Sequence, residues 1–295
     1  MRILITGASG FLGRAIANEL SAHNLIKLGR REGDITVDLS SDVVKLPKAE
    51  IVVHAAGKAH VVPSSTKESL DFYRVNVKGT KNLLSGLVNN LPQKFVFISS
   101  VAVYGKETGK HIIETDALEA SDPYGKSKIE AEMLVREWCS DNNVVCTILR
   151  LPLLAGPNPP GNLGAMIKGI EKGYYVNIGG GKAKKSMVLA EDVAKVIIKA
   201  SSIGGIYNLT DGYHPSFSEI AGVIAKQLGK QNPYNIPATV AFVLGKIGDV
   251  LGSRFPVNTM KINKIVSDLT FDDSAARKLL DWQPATVLSG FKINN

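Results

Sequence analysis

Tyr124 and Lys128 stand four residues apart in DPYGKSKIEAE, and in a helix that spacing places them one turn apart on one face. A phenol titrates near pH 10 and is a poor proton donor or acceptor at neutrality. A neighbouring ammonium favours the phenolate, and the pair can then exchange a proton with a hydroxyl or ketone oxygen. Ser100 closes the apolar run KFVFISS, upstream of Tyr124, where its hydroxyl could hold the reacting oxygen. Its neighbour Ser99 competes for that role.

A second group of residues suits an anionic ligand. Gly7-Ala-Ser-Gly10-Phe11-Leu12-Gly13 follows the apolar run RILIT and opens an amphipathic stretch. Gly7 and Gly10 let backbone approach a pyrophosphate, and Gly13 lets the helix pack on the preceding strand. A helix N-terminus supplies free N–H groups and a positive dipole end. The GxxGxxG spacing resembles that of the short-chain dehydrogenase/reductases.

These residues need a scaffold. Apolar, β-branched runs at 2–6, 25–28, 35–37, 50–56, 94–100 and 144–151 alternate with helix-like stretches at 11–22, 67–90 and 124–141. That pattern predicts a doubly wound parallel sheet with helices on both faces. After Leu151 the run PLLAGPNPPGN, with four prolines and two glycines, marks a loop. Helices are expected beyond it at 162–172, 190–202, 216–229, 238–251 and 272–280, with strands near 186–189 and 205–208. The expected division is a cofactor domain over 1–151, to which 186–209 returns, and a smaller substrate lobe over 152–295. The run ATVAFVLGKIGDVLG (238–252) is the most apolar helix-like stretch and is expected to pack on the core.

In order along the chain, HAAGKAH, VNVKGTKNLL, SSVAVYG, DPYGKSKIEAE, LRLPLLAGPNPPGN, SMVLAEDVA and YNLTDG resemble the extended short-chain dehydrogenase/reductases of the nucleotide-sugar epimerase/dehydratase family. The resemblance covers most of the chain. It implies a Rossmann-like domain holding a nicotinamide dinucleotide, a C-terminal lobe holding a UDP-linked sugar, and a homodimer built on the two long helices. It assigns catalysis to Ser100, Tyr124 and Lys128, with Lys128 also holding the nicotinamide ribose. It further implies cofactor contacts from Gly7, Gly10, Phe11, Leu12 and Gly13, from Asp38 and Leu39 at the adenine, from Ala55, Ala56 and Gly57, and from Asn76. For the substrate it implies Asn162, Lys185 and Arg254. Lys185 stands where the family often has Arg and would meet a diphosphate as a point charge.

The choice of reaction turns on two places. Where dehydratases of the family carry an Asp-Glu pair after the residue matching Ser100, this chain has Val101 and Ala102, which cannot move protons. That leaves ketone reduction or 4-epimerisation. Where an NAD-binding fold usually places an acid for the ribose 2′-hydroxyl, the chain reads Gly29-Arg30-Arg31. Gly29 leaves room, and either arginine could pair with a 2′-phosphate, which favours NADP(H) over NAD. YRVNVKGTKNLL and GNLGAMIKGIEKG also resemble the group that makes UDP-N-acetylquinovosamine-type sugars. The expectation is an NADPH-dependent reductase of a UDP-4-keto-6-deoxy-N-acetylhexosamine. The alternative is a UDP-hexose or UDP-N-acetylhexosamine 4-epimerase with tightly bound NAD.

Composition sets the bounds. The 295 residues carry a net charge of +8, spread along the chain except for KAKK at 182–185. Such a distribution suits phosphate sites and a solvated surface better than nucleic acid. No stretch reaches the ~20 apolar residues of a membrane span. Cys139 and Cys146 match no zinc pattern and are too few for a disulfide framework, no metal site is expected, and RILIT leads into a turn rather than a cleavage site, so a cytoplasmic location is expected.

Overall fold

The computed structural model describes residues 1–59, 65–251 and 258–293. The first half runs β1 (Arg2–Thr6), α1 (Phe11–Glu19), β2 (Asn24–Gly29), β3 (Ile35–Thr36), β4 (Ile51–His54), α2 (Thr66–Phe72), α3 (Gly79–Leu87), β5 (Lys94–Ser100), β6 (Gly109–Ile112), α4 (Pro123–Asp141) and β7 (Val145–Leu151). Then follow β8 (Leu153–Ala155), α5 (Gly161–Glu171), β9 (Asn177–Ile178), β10 (Met187–Leu189), α6 (Ala190–Ile203), β11 (Gly205–Asn208) and α7 (Phe217–Gln227). The chain ends through β12 (Asn235–Ile236), α8 (Ala238–Leu251), α9 (Thr259–Val266), β13 (Leu269–Phe271), α10 (Ser274–Leu280) and α11 (Val287–Gly290).

Seven strands form a parallel sheet in the order β3-β2-β1-β4-β5-β7-β11. Their two-residue alternation divides the core. Ile3, Ile5, Val53, Val96, Ile98 and Leu149 face α1, α6 and α10. Leu4, Val52, Phe95, Phe97 and Ile148 face α3 and α4. This is a Rossmann-like fold. Its strand order reverses between β1 and β4, and the loops at that switch point open a crevice beyond the strand ends.

The segment 186–209 divides. β11 joins the large sheet beside β7, whereas β10 pairs only with β8, away from it. The expected single helix over 67–90 is interrupted. A wider π-type turn spans Tyr73–Lys78 between α2 and α3. Such turns re-aim side chains near functional sites, and this one turns Asn76 inward.

The apolar run at 238–252 departs from expectation. α8 places small residues, Ala241, Gly245 and Gly248, against the protein. Gly245 seats on Thr259 and Ile262 of α9, where a side chain would not fit. The larger Val240, Val243, Leu244, Ile247 and Leu251 are exposed. Close helix packing selects small residues, so hydrophobicity alone misjudges which face is buried.

Candidate active site

A cleft of about 920 Å³ lies across the C-terminal ends of β1, β4, β5 and β7. Gly7, Gly10, Phe11, Leu12 and Gly13 form its floor, Ala55, Gly57 and Lys58 one rim, and Ser100, Val101, Ala102, Tyr124 and Lys128 a wall. The floor fits a dinucleotide. Gly7 has φ +71, and a Cβ there would lie 2.7 Å from the Ala56 nitrogen. A Cβ on Gly13 would overlap the Gly7 carbonyl. Gly10 caps α1 without a side chain, and the first turn holds no acid. Its N–H groups therefore remain for an anion.

Tyr124 sits in the first turn of α4, whose N-cap Asp122 accepts from Tyr124 N at 3.1 Å and Gly125 N at 3.0 Å. Burial raises the Tyr124 pKa, a hydrogen bond with Ser100 opposes this, and the Asp122 charge adds to the rise. Lys128 does not lower it. Its ammonium is buried, donates to the Ile98 carbonyl at 2.7 Å, and lies 4.5 Å from the Phe97 ring centroid. Burial pushes the Lys128 pKa down to about 8, against the pull of Glu132. The expected direct Lys-to-Tyr coupling is therefore absent from this geometry, because the nearby carbonyl gives the ammonium a better partner.

The two serines of β5 separate cleanly. Ser100 is half-buried at the cleft, with Oγ accepting from Ala102 N at 3.2 Å. Ser99 Oγ donates to Glu132 Oε1 at 2.5 Å beneath the wall. Glu132 takes a two-pronged contact from Arg150, at 3.1 and 2.7 Å, and both side chains are 2% exposed. Arg150 continues to the Tyr104 hydroxyl at 3.1 Å, which donates to Asn208 Oδ1 at 2.7 Å. This satisfied network ties α4 to β5, β7 and β11 and so places Tyr124 and Lys128. Had any partner been missing, the buried charges would be costly.

A second buried chain holds the opposite rim. Ala56 N donates to Thr6 Oγ1 at 3.1 Å, and Thr6 Oγ1 lies 2.6 Å from His54 Nδ1. His54 Nε2 lies 2.9 Å from Thr80 Oγ1, which donates to the Asn76 carbonyl at 2.6 Å. Since the Thr80 proton is committed, His54 carries its own proton on Nε2 and accepts at Nδ1. Burial, aided by the Lys128 charge, pushes the His54 pKa down to about 3. Asn76 Oδ1 accepts from Lys58 N at 2.7 Å, while Nδ2 donates to Lys58 O at 3.1 Å and Ser127 Oγ at 2.9 Å. Asn76 thus faces the chain itself rather than the cleft and clamps the Ala55–Lys58 rim to α4.

The remaining assignments scatter. Asp38 is half-buried, and its carboxylate is held below its ordinary pKa by Ser40, with Arg30 and Arg74 contributing charge. Leu39 is buried core, with its carbonyl accepting from Asn82 at 2.7 Å. Arg30 and Arg31 are exposed at the tip of β2, and Asp34 accepts from Lys27 N at 2.8 Å. The room expected at Gly29 is filled, because a Cβ there would meet the Glu32 carbonyl. Asn162 lines the cleft. Lys185 does not line it. Burial lowers its pKa, and it donates to the Lys264 carbonyl at 2.9 Å, so it braces α9. Arg254 lies outside the described residues. The cleft cations that sequence reasoning missed are Arg14, Lys58, Lys106 and Lys264. The three lysines pair with Asp71, Glu119 and Glu107. Only chain folding brings them together; Lys58 alone falls inside a family-like motif, HAAGKAH, whose alanines and glycine carry the cofactor assignment.

Residues 3–209 match the NAD dependent epimerase/dehydratase family. A UDP-glucose 4-epimerase of Vibrio cholerae is 26% identical over 98% of this chain and 93% of its own. An N-acetyl-alpha-D-glucosaminyl-diphospho-ditrans,octacis-undecaprenol 4-epimerase of Escherichia coli O157:H7 is 28% identical, covering 98% and 92%. Among solved structures, UDP-glucuronic acid 4-epimerase from Bacillus cereus in complex with NAD superposes with a TM-score of 0.75 at 20% identity, covering 98% and 95%. The last likeness establishes the fold. The family match, over most of the chain and across the whole cleft floor and wall, shows that this chain belongs to the NAD-dependent epimerase/dehydratase family and is an NAD(P)-dependent enzyme.

Proposed function

We propose that the protein is a sugar-nucleotide 4-epimerase that inverts C4 of a UDP-hexose or UDP-N-acetylhexosamine. The carrying observation is the cleft wall itself. Ser100, Tyr124 and Lys128 share it, while Val101 and Ala102 leave no second acid–base pair for dehydration. The relatives' names support epimerisation over the reductase expected from the arginine turn. They divide between a UDP-sugar and a sugar diphosphate on a polyprenol, and a diphosphate is common to both.

The residues divide the work. The Gly7–Gly13 turn would hold a nicotinamide dinucleotide, which would supply a reversible acceptor for the C4 hydride, able to receive and return it on either face of the sugar. Tyr124 removes the proton from the C4 hydroxyl and later restores it. Ser100 hydrogen-bonds the same oxygen. Lys128, whose ammonium rests on the Ile98 carbonyl, lines the same wall and is assigned to the nicotinamide ribose. Lys264 and Asn162 hold the diphosphate end. We assign residues 1–151 with 186–209 to cofactor binding and the remainder to substrate binding. We assign the homodimer contact to the outer faces of α2, the π-type turn that follows it and α4, where Leu70, Tyr73 and Met133 are exposed.

A second reading rests on one observation. Arg30 and Arg31 stand exposed at the tip of β2, and the Asp34 carboxylate beside them is engaged by Lys27 N at 2.8 Å. That favours NADP(H) and a 4-keto sugar reductase. One experiment separates the two. UDP-glucose and UDP-N-acetylglucosamine are incubated with the enzyme and no added cofactor, and proton NMR follows C4. An epimerase equilibrates the C4 pair using its own nucleotide. A reductase leaves both sugars untouched and consumes NADPH stoichiometrically when given a 4-keto sugar, and Arg30→Glu then weakens NADPH binding about tenfold or more.

A further inference from the structure

Val240, Val243, Leu244, Ile247 and Leu251 fall at i, i+3, i+4, i+7 and i+11 of α8. They make one stripe about 16 Å long at about 1.5 Å per residue. All five are exposed, Val243 at 59% and Leu251 at 53%. Stripes of this kind on a folded surface mark a contact with something apolar. Its surroundings indicate what. Among the described residues α8 and α9 carry Lys246, Lys261 and Lys264 against one acid of their own, Asp249, with Glu107 paired to Lys264. The Asp249 carboxylate is already engaged by Thr259, at 3.1 Å to the backbone nitrogen and 2.5 Å to Oγ1. Tyr234, just ahead of α8, is 78% exposed. An apolar stripe flanked by basic residues and an exposed tyrosine has the chemistry of a helix lying in an anionic membrane interface. Among the described residues no helix is long and apolar enough to cross a membrane, so α8 would lie flat.

The position of this stripe links it to the cleft. α9 packs on α8 through Ile262 against Gly245, and two residues past the contact Lys264 lines the cleft. A diphosphate bound at Lys264 would therefore sit at the foot of the same helical pair that carries the stripe.

We propose that α8 seats the protein on an anionic lipid surface and that the cleft takes a sugar diphosphate borne on a membrane-bound isoprenoid. The substrate clause rests on the 4-epimerase reading. The apolar carrier chain leaves the cleft across α8 while the sugar reaches Tyr124.

The test uses the full chain and a Val243→Glu, Ile247→Glu double variant, both changes on exposed sites. Sedimentation with phosphatidylglycerol–phosphatidylcholine vesicles is compared with pure phosphatidylcholine vesicles. The native chain is expected to sediment with the anionic vesicles, less so at high salt, and the variant to lose at least about tenfold in binding. Turnover of an N-acetylglucosaminyl-diphospho-polyprenol in those vesicles should fall in parallel, while turnover of UDP-N-acetylglucosamine in solution stays unchanged. Absence of vesicle binding with active UDP-sugar epimerisation overturns the lipid proposal and leaves the epimerase reading intact. So does a native dimer that the double variant turns into a monomer, since the stripe then covers a second copy. Vesicle binding without epimerisation of either substrate supports the lipid surface and removes the epimerase reading.

Discussion

The Lys128 ammonium donates to the Ile98 carbonyl at 2.7 Å and holds no hydrogen bond to Tyr124. The pair proposed for catalysis is therefore not joined by a hydrogen bond. Tyr124 is pushed above its ordinary pKa by burial, and Lys128 is pushed down to about 8 by the same cause. Binding of dinucleotide and sugar must supply the groups that draw the two together.

Replacing Lys128 by methionine should abolish turnover yet stabilise the cofactor-free protein. A buried lysine with a lowered pKa binds fewer protons folded than unfolded between about pH 8 and 10.5. Its burial cost is thus greatest below pH 8 and fades as pH rises through that window. Thermal melts at pH 7 should show Lys128→Met more stable by about 1–3 kcal/mol, with the gain shrinking toward pH 10. Equal melting curves across pH would contradict the buried ammonium.

Ser99 and Ser100 should behave oppositely. Ser100→Ala removes a hydrogen bond to the reacting oxygen and should lower kcat about a hundredfold with little change in stability. Ser99→Ala leaves Glu132 short of a buried partner and should cost about 1–3 kcal/mol of stability. Urea denaturation alongside steady-state kinetics distinguishes them.

His54 predicts an acid limb. Held neutral, it binds a proton only near pH 3 when folded but near 6.5 when unfolded. Its contribution is complete above pH 6.5 and is lost as pH falls toward 3, over a range of about 5 kcal/mol. His54→Gln should lower stability at pH 7 and flatten this limb, which denaturation midpoints across pH would reveal.

Lys264→Ala should raise the substrate KM about tenfold with kcat nearly preserved, since its proposed contact is with the diphosphate rather than C4. Lys185→Ala, which acts by bracing α9, should give a smaller rise that Lys185→Arg restores. A large fall in kcat for either would contradict the placement.

Much of this site could be read from local spacing. Gly7 and Gly13 are demanded by a turn whose backbone leaves no room for side chains, and Gly10 keeps the helix start bare. Tyr124 and Lys128 follow from helical periodicity, and the alternating strands announce the parallel sheet. What escaped the sequence depends on distant pairing. Ser99 and Ser100 differ only in which face of β5 they occupy. Lys58, Lys106 and Lys264 come from three separate loops and helices. Glu32 folds its carbonyl over Gly29, a contact that no propensity encodes. The π-type turn at Asn76 has the composition of ordinary helix, and the outward stripe of α8 has the periodicity of a buried one.

The most direct test of the account follows a deuterium placed at C4 of UDP-N-acetylglucosamine or of its polyprenol-linked counterpart, with no cofactor added. The account predicts that the C4 epimer forms with the label still at C4, and that Tyr124→Phe forms neither epimer nor exchange. Loss of the label to water, or product that appears only with stoichiometric NADPH, would contradict it.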